Sequence, residues 1–137
     1  MTESQGYLVR PIGHVESALV DRREAPKQGD QGAPDGWLVF DEVVRPGLTD
    51  LTVGMDVIVL TWLHQADRDV LRVHPQDNPA NPETGVFATR SGDRPNPIGL
   101  HRVEILAVDG LRLNVSNLEA IDGTPILDVK PVLRSRT

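Results

Sequence analysis

The sequence predicts an all-β fold, a compact single-domain β-barrel with long decorated loops. Short apolar segments with β-type alternation recur along the chain, Gly- and Pro-rich stretches separate them, and no segment keeps a helical apolar stripe over about ten residues. At 137 residues the chain matches one ordinary domain with a hydrophobic core of its own. The expectation is therefore one domain over residues 1–137, with no separate C-terminal domain.

The elements follow in order. Tyr7 to Ser17 suggests an extended strand interrupted at Pro11, which begins the core. Residues 21–36, DRREAPKQGDQGAPDG, are charged, rich in Gly and Pro, and read as a surface loop. Trp37-Leu38-Val39-Phe40 resumes strand character, and residues 46–51 read as a turn or a single short helical turn. Val53 to Leu63, VGMDVIVLTWL, is the longest apolar tract and rich in β-branched residues, so it reads as a buried strand ending at His64-Gln65. A brief strand-like Val70-Leu71-Arg72-Val73 precedes a Pro/Asn segment. His101 to Val108 alternates as a strand with one wet face, Asp109-Gly110 supplies a tight turn, and Leu111 to Val115 alternates again, predicting a hairpin. Asp122-Gly123-Thr124-Pro125 punctuates the chain before a last strand at 126–131.

Composition narrows the chemistry. No cysteine is present, so thiolate nucleophiles, zinc–thiolate sites and disulfide scaffolds are excluded. The histidines 14, 74 and 101 lack metal-ligand spacing, and no nucleophile-elbow pattern occurs, so neither metal site nor hydrolytic triad is assigned. GxGxxG and GxxxxGK[ST] are also missing, which argues against Rossmann and P-loop routes to nucleotides. The N-terminal residues do not read as a signal peptide and no apolar run is long enough to span a bilayer, so a cytoplasmic protein without membrane contact is expected. Net charge is −6, which disfavours bulk attraction of nucleic acid, and no DNA partner is expected. The charge is uneven: residues 1–85 carry 7 basic and 14 acidic side chains, net −7, and residues 86–137 carry 7 and 6, net +1.

Residues 85–102, GVFATRSGDRPNPIGLHR, predict one rigid, arginine-bearing binding loop set between strands. Pro95 and Pro97 fix φ and force Arg94 and Asn96 away from the α region, while Arg90 and Arg94 offer forked donors to a carboxylate, a phosphate or ring nitrogens. A plain turn with its arginines paired to nearby acids is the alternative. His64, at a strand exit, is a candidate ligand contact or proton acceptor. Asp122 and the amides of its turn can hold ribose hydroxyls or an amine, or simply make a turn; Asp128 reads either as an inward carboxylate needing a partner such as Lys130 or as a solvent-facing one.

The segments IGHVES at 12–17, PKQ at 26–28, GLTDL at 47–51, WLHQ at 62–65, GVFATRSGDRPNPIGL at 85–100 and DGTPILDVKP at 122–131, in that order, resemble the TrmO-like (YaeB/VirR) family. The resemblance implies a dimeric β-barrel methyltransferase that uses S-adenosyl-L-methionine outside any Rossmann fold and methylates N6 of threonylcarbamoyladenosine at position 37 of tRNA. It carries cofactor contacts onto Pro26, Lys27, Gln28, His64, Gln65, Arg90, Leu100, Asp122, Gly123, Thr124 and Pro125. Arg90 and Leu100 are then expected to face the methyl donor while Arg94 and Asn96 brace the loop. His64 is the candidate catalytic base and Asp128 the runner-up. Lys27 stands where the family usually has arginine, and an ammonium cannot reproduce a guanidinium's bidentate fork. The alternatives are methylation of a small molecule, or a noncatalytic S-adenosylmethionine-binding or interaction module.

Overall fold

A computed structural model describes residues 5–20 and 32–133. Six strands build the main sheet: β1 (Gly13–Glu16), β2 (Gly36–Phe40), β3 (Asp56–Trp62), β6 (Ile98–Asp109), β7 (Arg112–Val115) and β8 (Pro125–Pro131). A separate antiparallel ribbon pairs β4 (Arg72–Val73) with β5 (Thr84–Gly85). Period-two alternation sets the two faces. In β6, Gly99, His101, Val103 and Ile105 point inward while Ile98, Leu100, Arg102 and Glu104 point out. Val57, Val59 and Thr61 of β3 meet them from the neighbouring strand. The resulting core joins Val15, Leu38, Phe40, Val57, Val59, Val103, Ile105, Leu113, Val115, Leu118, Ala120 and Ile126.

All neighbouring strands pair antiparallel in the order β1, β2, β7, β6, β3, β8, and the order returns from β8 to β1. That last seam holds only two residue pairs, Gly13–Ile126 and His14–Pro125, against seven between β3 and β6. The expectation of an all-β, compact single-domain β-barrel is corrected accordingly. The domain is mostly β, a six-stranded sheet whose outer strands meet along one short seam, accompanied by the β4–β5 ribbon and by 3-10 segments at Glu42–Leu48, Pro75–Asp77 and Val86–Ala88. The seam is short because β1 starts only after Pro11, which has no backbone donor, and β8 starts only at Pro125, opposite His14.

Three boundaries also differ from the sequence reading. Tyr7, Leu8 and Val9 are exposed, so the first segment contributes to the core through buried Val15, with Ile12 partly buried against it. Val53 is likewise exposed, and β3 begins at Asp56. Most consequentially, β6 begins at Ile98, so the last five residues of the expected loop are strand. The predicted hairpin is present, with Gly110 at φ 60° in its turn.

Gly13 explains how closely β1 and β2 pack. A Cβ there would collide with the Val39 carbonyl oxygen and lie 2.9 Å from Phe40 Cα. At the surface, Arg45 donates to Glu42 through Nε (2.9 Å) and Nη2 (2.8 Å). This contact holds the Glu42 carboxyl below its ordinary range and the Arg45 guanidinium above it. Full solvent exposure leaves the pair little weight in stability.

Leu113 is fully buried on β7 at the centre of the core. Leu113→Ala is expected to destabilise the fold by about 2–5 kcal/mol, through lost transfer energy plus a residual cavity. Urea denaturation should show a lower midpoint at an unchanged slope.

Candidate functional site

The segment between β5 and β6 is held by its own side chains. After the 3-10 turn Val86–Ala88, Arg94 folds back so that its Nη2 donates to the carbonyl oxygens of Val86 and Thr89 (2.7 Å for Thr89), and its Nε donates to that of Ser91 (2.9 Å). A second set of bonds ties the segment to the chain leaving β3. Leu63 N donates to Pro97 O (2.8 Å), Arg94 N to Asp67 O (3.1 Å) and Asp67 N to Asp93 Oδ1 (2.8 Å). Arg68 donates to Pro95 O (2.7 Å) and Asn96 Oδ1 (3.1 Å) and lies over the Trp62 ring, 5.1 Å from its centroid. Arg94 and Asn96 are therefore braces, and the prolines supply only part of the rigidity. Arg90 makes no hydrogen bond or ion pair with a described residue, and its side chain is exposed.

These residues border a cleft of about 1160 Å³. Arg90 and the 3-10 turn form one rim and residues 74–77 another, with Gln76 and Asp77 both in the left-handed region at φ 56°. The outer face of the sheet contributes Leu60, Ile98 and Leu100, while Phe87 presents its ring to the opening at 81% exposure. The floor is polar. His101, on an inward position of β6, places Nδ1 2.6 Å from Glu119 Oε1 and Nε2 2.7 Å from Thr61 Oγ1. The His101 and Glu119 side chains are 4% and 12% exposed, and Thr61 is completely buried. Gly99 makes room for this chain: a Cβ there would overlap Thr61 Oγ1 and approach His101 Nε2 to 2.8 Å.

Of the residues singled out in the sequence, Arg90 and Leu100 line this cleft. His64 and Gln65 lie exposed just beyond Leu63, which does line it. Asp128 stands opposite Leu60, one strand away, with Oδ2 3.1 Å from Lys130 Nζ and Oδ1 accepting from Val129 N. Pro26, Lys27 and Gln28 lie outside the described residues.

The turn at 122–125 is built elsewhere. Asp122 Oδ1 accepts from Ser17 N (3.1 Å), Gly123 N donates to Val15 O (2.8 Å), and Thr124 Oγ1 donates to Ile121 O (2.7 Å), with Gly123 at φ 84°. These bonds fasten the end of β1 to the start of β8. Asp122 borders a second, shallower hollow of about 460 Å³ with Glu16, Ser17, Asp35 and Trp37. Glu16 there accepts from Arg112 Nη2 (2.8 Å), whose guanidinium covers Trp37.

Sequence reasoning missed Phe87, His101 and Glu119. For His101 a signal existed: the alternation that puts Val103 and Ile105 inward puts His101 inward too. Glu119 follows β7 in an irregular segment, where no periodicity marks its direction.

Arg94→Ala removes the guanidinium that satisfies three carbonyls and is expected to cost about 1–3 kcal/mol. Arg94→Lys should recover little, because one ammonium cannot span the three acceptors. Hydrogen exchange should then speed up selectively between residues 86 and 97 while the core strands stay protected.

Comparison with known proteins follows the same outline. Residues 14–136 match the model of the tRNA-methyltransferase O N-terminal domain. An S-adenosyl-L-methionine-binding protein of Archaeoglobus fulgidus is 44% identical over 124 residues, covering 90% of this chain and 87% of that one. A probable S-adenosyl-L-methionine-binding protein of Methanothermobacter thermautotrophicus is 40% identical, over 90% of this chain and 88% of that one. The crystal structure of TrmO from Pseudomonas aeruginosa superposes with a TM-score of 0.76 at 31% identity, covering 94% of this chain. This chain spans 57% of that TrmO chain. With the matched region extending from β1 beyond β8, the chain belongs to the family of the tRNA-methyltransferase O N-terminal domain.

Proposed function

We propose that this domain is an S-adenosylmethionine-dependent methyltransferase acting on N6 of threonylcarbamoyladenosine at position 37 of tRNA. The observation that carries the reading is the cleft formed by GVFATRSGDRPNPIGL, in which a braced loop presents Arg90 beside the apolar Leu60, Ile98 and Leu100. Its donor set suits a ligand with a flat heterocycle, a carboxylate and a positive centre. Phe87 and Leu100 offer apolar surface, Arg90 offers a fork for a carboxylate, and Glu119 supplies negative charge on the floor. When bound, S-adenosylmethionine supplies an electrophilic methyl group. The chain's own part is to hold the acceptor in line, exclude water and receive the acceptor's proton.

The proposal extends to the other contacts that family resemblance implies. Pro26, Lys27, Gln28, His64, Gln65, Asp122, Gly123, Thr124 and Pro125 join Arg90 and Leu100 in binding the cofactor, and the domain works as a homodimer in the cytoplasm. A splayed anticodon-loop base can be recognised by stacking and polar edge contacts without melting a duplex, which suits a small domain. Within a chain of net −6, residues 86–137 carry net +1 and are where an anionic partner meets least repulsion. A noncatalytic binding module is the second reading, favoured by relatives that are named for S-adenosylmethionine binding alone. A small-molecule methyl acceptor is the third, favoured by the acidic balance of the chain.

Radiolabelled methyl transfer distinguishes the three. Incorporation into threonylcarbamoylated tRNA over many turnovers is expected. Tight cofactor binding without turnover would identify a binding module, and turnover with a metabolite but not with tRNA would identify a small-molecule enzyme. Arg90→Ala should weaken S-adenosylmethionine binding by roughly 10- to 100-fold in calorimetry, the usual range for a lost charged hydrogen bond. Sedimentation should give a dimer at micromolar concentration.

A further inference from the structure

Buried ionisable groups need partners, and the floor of the cleft holds two that the fold does not require. Glu119 is anchored at Oε1 by His101 Nδ1, and its Oε2 has no hydrogen-bond partner among the described residues. Because Glu119 lines the cleft, Oε2 is the polar atom of this chain left for whatever enters. Behind it, Thr61 Oγ1 meets His101 Nε2 at 2.7 Å. A hydroxyl can donate or accept, so this chain exists in two forms without moving a heavy atom. With His101 neutral, Nδ1–H donates to Glu119 and Nε2 accepts the Thr61 hydroxyl proton. With His101 charged, both ring nitrogens donate, and Thr61 Oγ1 turns its hydrogen away and accepts.

We infer that the Glu119–His101 pair is the proton acceptor of the cleft, with Glu119 Oε2 taking the proton of the methyl acceptor's N–H and Thr61 fixing the orientation of His101. The inference rests on the methyl-transfer reading above and assigns the base to neither His64 nor Asp128. The balance closes. The acceptor nitrogen gains a carbon–nitrogen bond and gives up its hydrogen as a proton. The sulfonium loses the same methyl, and its carbon–sulfur electron pair stays on sulfur as a neutral thioether. The proton rests on Glu119 Oε2, with Oε1 still held by His101 Nδ1–H, until the cleft reopens to water. Glu119 is the catalytic residue in this scheme; His101 and Thr61 are positioning residues.

The placement answers two requirements for a base that a surface carboxylate or histidine does not. A mostly buried carboxylate is shielded from bulk water, so its hydrogen bond to a ligand N–H is strong. Once Oε2 holds the proton the carboxyl is neutral while Oε1 still accepts from His101 Nδ1–H, so the site need not accumulate an isolated charge. Other ionisable groups around the same cleft are Arg90, Asp93 and Arg94 from the loop and His74 and Asp77 from the opposite rim. Arg94 is occupied by the carbonyls of its own loop, and His74 Nδ1 lies 2.8 Å from Asn81 O. Arg90 is the remaining arginine on the cleft's lining, unpaired among the described residues.

The test uses the full chain and threonylcarbamoylated tRNA. Glu119→Gln keeps shape and hydrogen bonding but cannot take a proton. It is expected to lower kcat by about 10²- to 10⁴-fold, well beyond any rise in KM for the cofactor from the lost charge, and to remove the acidic limb of the kcat pH profile. In the cofactor-free protein, NMR should show a far-downfield His101 Nδ1–H proton that moves upfield in Glu119→Gln. Thr61→Val, nearly isosteric, provides a second variant if Glu119→Gln does not fold; it should lower kcat less and displace the same limb. Wild-type turnover with variants of unchanged kcat and pH profile would overturn the base assignment alone, as would an unprotonated Nδ1. A wild-type protein inert on tRNA would overturn the methyl-transfer reading, and the base role with it, whatever the resonance shows.

Discussion

Arg94 turns back on the loop that carries it, and its three contacts to Val86, Thr89 and Ser91 carbonyls determine the shape of one whole side of the domain. Without them the Thr89 and Ser91 carbonyls would lose this donor, while Val86 O would keep only the Thr89 amide and hydroxyl. With them, the 3-10 turn at Val86–Ala88 is fixed, and Phe87 and Arg90 project from a frame that does not need to order itself around a ligand. The bonds from Asp67, Arg68 and Leu63 then register this frame against β3, so the rim and the outer face of the sheet keep a fixed separation. Arg90 and Arg94, four residues apart and chemically identical, are thereby assigned opposite tasks by their partners.

The same β3–β6 pairing that builds the core also runs a polar thread through it. Val57, Val59, Val103 and Ile105 pack as apolar neighbours, yet the next inward pair in register outward along the strands brings Thr61 opposite Gly99, beside His101. Glycine at 99 is a steric necessity there, because any side chain would displace the Thr61–His101 contact. Burying a hydroxyl, an imidazole and a carboxylate carries a desolvation cost that apolar residues of similar size would avoid. The three groups are acceptable inside only as a connected set, which is why the floor of the cleft is coupled to the packing of the sheet.

Much of this was legible in the sequence, and the exceptions have physical causes. Alternation located β6 and β7, Asp109-Gly110 located the hairpin between them, and strand-type composition and a preceding turn located β2 and β8, since these signals act over a few residues. The expected β-barrel was the part that failed. Closure depends on how long β1 remains in register with β8, and Pro11 before β1 and the start of β8 at Pro125 limit that to two pairs. In the loop, Pro95 and Pro97 announced rigidity, but the side chain that enforces it could not be read from spacing, because Arg94 finds its partners in carbonyls present at every residue. Leu100 and Arg90 were picked out by resemblance and lie in the cleft. Glu119 escaped notice because only the folded chain brings it, 18 residues along, to His101.

The turn at 122–125 shows how one motif can be both specific and structural. Asp122, Gly123 and Thr124 use their polar groups on Ser17, Val15 and Ile121, closing the sheet where β1 and β8 meet. A carboxylate already accepting one amide retains lone pairs for a ligand, so a structural role for Asp122 does not exhaust it. Its hollow, shared with Glu16, Asp35 and Trp37, is more acidic than the cleft that holds Arg90. An ammonium is therefore better matched to the Asp122 side of the molecule and a carboxylate to the Arg90 side. Charge alone thus separates the two hollows by the kind of group each can receive, within a chain whose net −6 would by itself suggest neither.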